Sequence, residues 1–172
     1  MTIRVAILTV SDRTSRGERA DASGPLLIER VHAEGWEVTF SAVVPDDPQI
    51  IQDILIEWSD VHQVDLILTT GGTGFSPRDT TPEATQGVIQ RAAPGLSELM
   101  RLESLKITYH AALSRGVSGI RGQTVIVNLP GSPKAAVQNL DAILPILPHA
   151  IELLNDNPHS EAGHRSGDAP RP

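Results

Sequence analysis

Residues 66–85 read LILTTGGTGFSPRDTTPEAT, passing from an apolar run into a glycine-rich loop and then into a helix start. The run at 66–70 is apolar and β-branched, which is typical of a buried strand. Gly71–Gly74 follows, and Thr81-Pro82 predicts the beginning of a helix, with Thr81 as its N-cap. This order often binds an anion, because glycines let backbone N–H groups approach it. It is equally typical of a tight strand-to-helix connection.

Strand-like and helix-like segments alternate on both sides of this stretch. Apolar runs with little alternation are typical of strands in a parallel sheet that is covered on both faces. The predicted strands are 3–10, 36–44, 65–69 and 124–129, and the predicted helices are 22–34, 49–61, 82–91, 96–107 and a long one from 133 to about 154. Pro145 and Pro148 predict a kink or a restart in the last helix, and 114–116 and 119–122 are predicted as turns. The pattern indicates an α/β fold of three layers, a mainly parallel sheet with helices on both faces.

Composition bounds the domain organisation and the chemistry. The chain has 172 residues, which suits one domain. We predict that 1–155 forms this domain and that 156–172, polar and rich in Gly, Pro and Ser, is a disordered tail. There are no cysteines, which excludes disulfides, thiolate metal sites and cysteine nucleophiles.

Charge and hydropathy bound the partners and the location. The net charge of −7 argues against duplex nucleic-acid binding, which normally uses a basic face. The first apolar run, Val5–Val10, has six residues, too few for a signal-peptide core or a membrane span. We therefore expect no membrane association and a cytoplasmic location.

Four polar loops follow the predicted strands, and in a parallel sheet they would gather at one edge. Ligands of open α/β sheets bind at this carboxyl-terminal edge. The loops are 11–13, 45–47, 71–79 and 130–133.

Two aspartates in these loops are candidates for chemistry. Asp47 precedes Pro48 and is predicted to cap the next helix, which leaves Asp46 without a structural role. Asp79 is either a carboxylate favoured by the dipole of the helix after it or a group that holds a metal or orients a phosphate. Arg78 either pairs with Asp79 or binds a phosphate oxygen.

Other well-known motifs are missing from the sequence. No Lys-Ser or Lys-Thr pair follows the glycines at P-loop spacing, and the third glycine of the dinucleotide fingerprint is absent. There is no Gly-x-Ser-x-Gly elbow, and the six histidines show no zinc-like spacing.

The loop residues in order resemble a known family. Thr69–Gly74, Pro77–Asp79 and Thr81–Thr85 are similar to the molybdopterin-binding MogA/MoaB family and to the gephyrin G domain. The resemblance covers about 3–155 and includes further matches in chain order: Leu8–Asp12, Asp21 with Ser23-Gly24, Val44–Asp46, Leu113–Arg115, Gly119–Gly122, Asn128–Ser132 and Ile143–Leu154.

The resemblance implies a fold, an activity and a set of site residues. It implies an α/β domain, usually a homotrimer, that transfers AMP from ATP to molybdopterin with Mg²⁺ and releases pyrophosphate during molybdenum cofactor biosynthesis. Asp46 and Asp79 match the catalytic aspartates and are the expected metal ligands. Other enzymes of this cofactor are possible partners. The expected substrate-binding residues are Ser11, Asp12, Thr70, Gly71, Gly72, Thr73, Gly74, Arg78, Ser114, Pro130, Gly131 and Ser132.

The resemblance leaves alternatives open. A MoaB-type protein that binds molybdopterin without adenylylating it would share these motifs, and a scaffold role is a further possibility. For the enzyme, we expect four cationic side chains to offset phosphate charge: Arg13, Arg78, Arg115 and Lys134.

Overall fold

Six strands form one mixed sheet in the computed structural model, which describes residues 2–155. They are β1 (Arg4–Val10), β2 (Glu37–Val44), β3 (Leu66–Thr70), β4 (Arg91–Ala92), β5 (Ser118–Arg121) and β6 (Thr124–Leu129). The order across the sheet is β2-β1-β3-β6-β5-β4. The first four strands in this order pair in parallel. At the other edge, β5 pairs antiparallel with β6, and β4 pairs antiparallel with β5. The predicted mainly parallel sheet is confirmed.

Helices connect these strands. Within the same residues they are α1 (Asp12–Ser15), α2 (Ser23–Ala33), α3 (Pro48–Ile56), α4 (Thr81–Val88), α5 (Pro94–Leu105), α6 (Pro133–Ile143) and α7 (Leu147–Leu154). A π-helical turn, Glu57–Val61, continues α3, and a 3₁₀ turn, Tyr109–Leu113, follows α5.

Both faces of the sheet bury apolar side chains, because β3 and β6 are buried throughout and neighbouring residues point to opposite faces. Leu68 belongs to a core cluster with side chains of α2, α5, α6 and α7. Ile67 belongs to a second cluster with side chains of α3 and α4. Each fully buried Leu or Ile contributes about 1.5–3 kcal/mol. The two clusters confirm the predicted three layers.

The beginning of α3 follows the predicted cap. The Asp47 side chain accepts hydrogen bonds from the backbone N–H groups of Gln49 (2.9 Å) and Ile50 (3.2 Å), and Pro48 is the first helical residue. Two otherwise unpaired helix donors are thereby satisfied. Asp46, the residue before it, takes no part in this cap.

Two predictions near the antiparallel edge were wrong. Residues 119–122 were predicted as a turn, yet Ser118–Arg121 is strand β5, and α4 ends at Val88 so that 91–92 can pair with β5. The turn prediction was wrong because Gly119, a residue type that is common in turns, lies here inside a strand. A Cβ on it would lie 2.7 Å from the Ile89 side chain, so glycine here permits close packing inside a strand.

The last two helices confirm the predicted restart, because α6 ends at Ile143 and α7 begins at Leu147. The predicted tail, 156–172, lies outside the described residues, and the 1–155 boundary stays a prediction. Between residues 2 and 155, none of the helices has the length and apolar character needed to span a bilayer.

Candidate active site

The four predicted loops meet at the carboxyl-terminal edge of the parallel strands, where two cavities open. The larger cavity, about 580 Å³, is lined by Ser11, Arg19, Asp21, Asp46, Thr70 and Ser132, among others. The smaller cavity, about 410 Å³, is lined by Arg101, Thr108, His110, Ser114, Gln138 and Asn139, among others. Gly72, Asp79 and Gly131 line both. The cavities are therefore neighbours that share a wall at the glycine loop.

The glycine loop brings backbone against backbone. Gly71 has φ +98°, and a Cβ on it would lie 2.2 Å from the carbonyl oxygen of Val10. A Cβ on Gly131 would lie 3.2 Å from the Cα of Gly71. The Gly71 N–H already donates to the Leu129 carbonyl oxygen (3.3 Å). Gly71 therefore serves the tight connection, one of the two interpretations of the sequence.

The next three backbone amides of the loop fit the second interpretation, an anion-binding loop. Within residues 2–155, the N–H groups of Gly72, Thr73 and Gly74 have no protein acceptor, whereas all three carbonyls accept hydrogen bonds. Gly72 also has a positive φ, +63°. Free N–H groups in such a loop are the donors that an anion needs.

Asp46 lies in the larger cavity and is only 8% exposed. Its Oδ2 accepts from the Asp12 N–H (2.9 Å), and its own N–H donates to Asp12 Oδ1 (3.0 Å). Burial raises the pKa of Asp46, and the charges of Asp12 and Asp79 add to this rise against the hydrogen bond from Asp12. The site thus holds Asp46 among like charges, which a bound cation would offset.

Asp12 and Arg78 form an ion pair between two loops. Arg78 Nε and Nη2 donate to the Asp12 carboxylate at 3.0 and 3.1 Å, and this bidentate contact lowers the pKa of Asp12. Neither residue lines either cavity. The pairing of Arg78 with Asp79, one alternative from the sequence, is not what the structure shows.

Asp79 lines both cavities and closes its own turn. Its Oδ2 accepts from the Ser76 N–H (3.1 Å) and would lie 2.9 Å from a Cβ on Gly74. The prediction that Thr81 caps α4 was wrong, because Thr81 is the first helical residue and Thr80 precedes it without a side-chain cap. Asp79 therefore lies just outside the helix, with its carboxylate beside the glycine loop.

Arg115 stabilises the glycine loop through two of its carbonyl oxygens and an ion pair. Its side chain donates to the carbonyl oxygens of Gly74 (2.7 Å) and Asp79 (2.8 Å) and forms an ion pair with Glu83. This pair lowers the pKa of Glu83. These contacts give Arg115 a structural role at the loop, and its predicted role in offsetting phosphate charge stays a prediction. Arg13 and Lys134 line neither cavity.

A buried polar network supports the same edge. Asn128 is 2% exposed and donates to the hydroxyls of Thr69 and Thr85, both at 2.9 Å, while its Oδ1 accepts from the Val117 N–H (3.2 Å). Strands β3 and β6 and helix α4 are thereby joined directly behind the loops.

Twelve of the fourteen predicted site residues line the two cavities, whereas Asp12 and Arg78 line neither. Those in the larger one are Ser11, Asp46, Thr70, Gly71 and Ser132; those in the smaller one are Thr73, Gly74, Ser114 and Pro130; those in both are Gly72, Asp79 and Gly131. Sequence reasoning missed Arg19 in the larger cavity and six polar side chains of the smaller one: Arg101, Ser104, Thr108, His110, Gln138 and Asn139. These polar side chains of the smaller cavity come from α5, from the 3₁₀ turn and the residue before it, and from α6. No sequence motif indicates that these elements lie next to one another. A hint exists in Asn139 and Ser104, polar residues on facing helices, whose side chains hydrogen-bond (3.0 Å).

No cluster of three or more His, Cys, Asp or Glu side chains that could hold a metal occurs between residues 2 and 155. Asp46 and Asp79 are the two carboxylates of the larger cavity that lie at the glycine loop. Mg²⁺ usually takes one or two carboxylates and completes its shell with phosphate oxygens and water. The pair fits such an ion, provided that a substrate supplies the remaining ligands.

Comparisons with known proteins show that the chain resembles molybdopterin-binding proteins. Residues 6–149 match the family model described as "Probable molybdopterin binding domain". Molybdopterin adenylyltransferase of Helicobacter pylori is 41% identical over 158 residues, covering 91% of this chain and 90% of that protein. Gephyrin of Dictyostelium discoideum is 44% identical over an alignment of 176 positions, gaps included, which covers 95% of this chain but 24% of gephyrin. Thus the chain spans about a quarter of that relative.

A solved structure extends the similarity to three dimensions. The molybdopterin biosynthesis enzyme MoaB of Thermus thermophilus is 52% identical, with a TM-score of 0.86. The match covers 91% of this chain and 99% of that one.

Proposed function

We propose that this chain, which belongs to the family of molybdopterin-binding domains, transfers AMP from ATP to molybdopterin, giving adenylyl-molybdopterin and pyrophosphate. The observation that carries the proposal is the pair of cavities that share Gly72, Asp79 and Gly131. Two substrates bound side by side would bring their phosphates together at this wall. The similarity to molybdopterin adenylyltransferase supplies the substrates.

The reaction joins two anions, so charge and alignment dominate its barrier. An oxygen of the molybdopterin phosphate attacks the α-phosphorus of ATP, a new P–O bond forms, and the bond to the β-phosphate oxygen breaks as pyrophosphate leaves. The free N–H groups of 72–74 lie where they can donate to phosphate oxygens. Asp46 and Asp79 would hold Mg²⁺, which supplies neutralisation of phosphate charge when bound. No covalent nucleophile is required.

We assign ATP to the larger cavity and molybdopterin to the smaller one. The larger cavity is lined by hydroxyls and by Arg19, whereas Arg101 of the smaller cavity already donates to the Gly116 carbonyl oxygen (2.9 Å). The smaller one combines aliphatic side chains with the amides of Gln138 and Asn139, which suits a flat heterocycle that carries donors and acceptors.

The direct test is to incubate the purified chain with molybdopterin, ATP and Mg²⁺ and to identify products by mass spectrometry. Adenylyl-molybdopterin and pyrophosphate in equal amounts would support the proposal. Molybdopterin binding without any nucleotide-dependent product would instead indicate the MoaB-type binding protein.

Arg19→Gln is expected to raise KM for ATP about tenfold, because charged hydrogen bonds to phosphate contribute about 1.5–3 kcal/mol. KM for molybdopterin should stay within about twofold. The matched control is Arg16→Gln in the same loop, since Arg16 pairs with Glu18 (2.7 Å) and lines neither cavity. Steady-state kinetics with each substrate varied in turn decides the point. A rise in KM for molybdopterin alone would reverse the assignment of the cavities.

A homotrimer and a cytoplasmic location belong to the same proposal. Helix α7 buries Leu147 and Ile151 but leaves Leu153 43% exposed, and Ile146, the residue before the helix, is 44% exposed. Tyr109 is 90% exposed elsewhere. These apolar side chains are available to a second subunit. Light scattering should give three times the chain mass of 18.4 kDa, and a monomeric mass would contradict the assembly. Use of ATP supports the cytoplasmic location.

A further inference from the structure

Thr81 presents a hydroxyl that the described protein leaves without a partner. The residue is 0% exposed, and its Oγ1 has no hydrogen bond. A buried polar group without a partner is costly, and native proteins usually satisfy such a group with another residue, water or an ion.

The unpaired hydroxyl points into the site. A Cβ built on Gly72 would lie 2.3 Å from Thr81 Oγ1 and 2.9 Å from Asp46 Oδ1. Both oxygens therefore lie close together on the side of Gly72 where a side chain would stand, and glycine leaves that side without a Cβ. No protein donor among residues 2–155 reaches Asp46 Oδ1, since the Asp12 N–H binds the other oxygen, Oδ2.

We propose that Thr81 Oγ1 and Asp46 Oδ1 together hold one water molecule above Gly72, and that Thr81 is in this way a positioning residue for Asp46. The water donates to the carboxylate and exchanges a hydrogen bond with the hydroxyl, so both groups gain the partner they lack. The Asp46 carboxylate is then held by the Asp12 N–H on one oxygen and by the water on the other. The catalytic part of this inference rests on the proposed adenylyl transfer.

Thr81→Val and Thr81→Ser separate the hydroxyl from the shape of the side chain. Thr81→Val should lower Tm of the unliganded protein by about 2–4 °C and reduce kcat about tenfold, with KM values changed less than twofold. Thr81→Ser should restore most of the kcat, because it keeps the oxygen. Thr80→Val is the matched control. Its hydroxyl is also buried and unpaired, yet it is not one of the atoms above Gly72, so kcat should not change.

A crystal structure of the unliganded wild type should show one ordered water between the two oxygens, and that of Thr81→Val should lack it. Three results would each overturn the inference: a rise of Tm in Thr81→Val, a direct Thr81–Asp46 hydrogen bond without water, or equal effects of Thr81→Val and Thr80→Val. Tm and the water are measured without substrates. If the wild type makes no adenylyl-molybdopterin yet holds the water, the proposed function fails and the water site stands.

Discussion

Replacing Asp79 by Asn is expected to lower kcat of adenylyl transfer by about 10²–10³-fold while changing KM for molybdopterin less than threefold, because a charge that acts mainly on the transition state is lost. Asp79 lines both cavities, and its Oδ2 lies beside Gly74. Asn keeps the oxygen that accepts the Ser76 N–H, so the turn should survive. Steady-state kinetics at saturating ATP and Mg²⁺ measures the effect, and an unchanged kcat would contradict the catalytic assignment.

Asp46→Asn should reduce kcat by a similar factor, and it adds a stability signature. The pKa of Asp46 is raised by burial and by Asp12 and Asp79, so above that pKa the ionised carboxylate opposes folding. An amide removes this unfavourable charge while its oxygen still accepts the Asp12 N–H. Tm of Asp46→Asn near pH 7 should therefore be equal to or higher than that of the wild type. Loss of kcat with a large fall of Tm would indicate a structural role instead.

Asp47→Asn is the matched control for both variants. It makes the same chemical change next to Asp46, and Asp47 lines neither cavity. Asn caps helices about as well as Asp, so the hydrogen bonds to Gln49 and Ile50 should persist. We expect wild-type kcat and Tm for this variant. A loss of kcat here equal to that of Asp46→Asn would contradict the specific role of Asp46.

Gly71→Ala is expected to destabilise the protein by about 3 kcal/mol, because it combines a strained backbone with a collision. Gly71 has φ +98°, and its new Cβ would lie 2.2 Å from the carbonyl oxygen of Val10, the last residue of β1. Relief requires β1 and β3 to separate at the site edge. For a chain of this size, Tm should fall by about 6–12 °C, measured by thermal denaturation.

Gly17→Ala separates strain from collision. Gly17 has φ +73°, but nothing lies within 4 Å of a Cβ placed there. The cost should be the backbone term alone, about 1–2 kcal/mol. Equal falls of Tm in the two alanine variants would show that the contact with Val10 is relieved without cost, and that the loop is looser than its geometry indicates.

Local features of the chain predicted much of the fold. The apolar runs that became β1 and β6 could be recognised because burial on both faces requires nearly every residue to be apolar. The Asp47-Pro48 cap could be recognised because its partners, Gln49 and Ile50, lie within three residues. Assigning that cap correctly left Asp46 as a site candidate, and the structure places it in the larger cavity.

Strand β5 and the capping of α4 could not be predicted in the same way. Gly119 is usual in a turn, and only its approach to Ile89 shows why a strand needs glycine there. Thr81 is a common cap residue next to a proline, yet its hydroxyl faces Gly72 across the loop. In both cases the deciding neighbour belongs to another segment of the chain.

The buried parallel strands, the Asp47-Pro48 cap and the four loops at one sheet edge are properties of the sequence, because they depend on interactions within a few residues and on the parallel order of strands. The roles of the charged side chains are properties of the tertiary structure. Arg78 lies next to Asp79 in the chain but binds Asp12, 66 residues away, and Arg115 binds the Gly74 carbonyl oxygen, 41 residues away. A long flexible side chain takes whichever opposite charge or carbonyl the folded sheet brings within reach, and that choice is made only after the strands have paired.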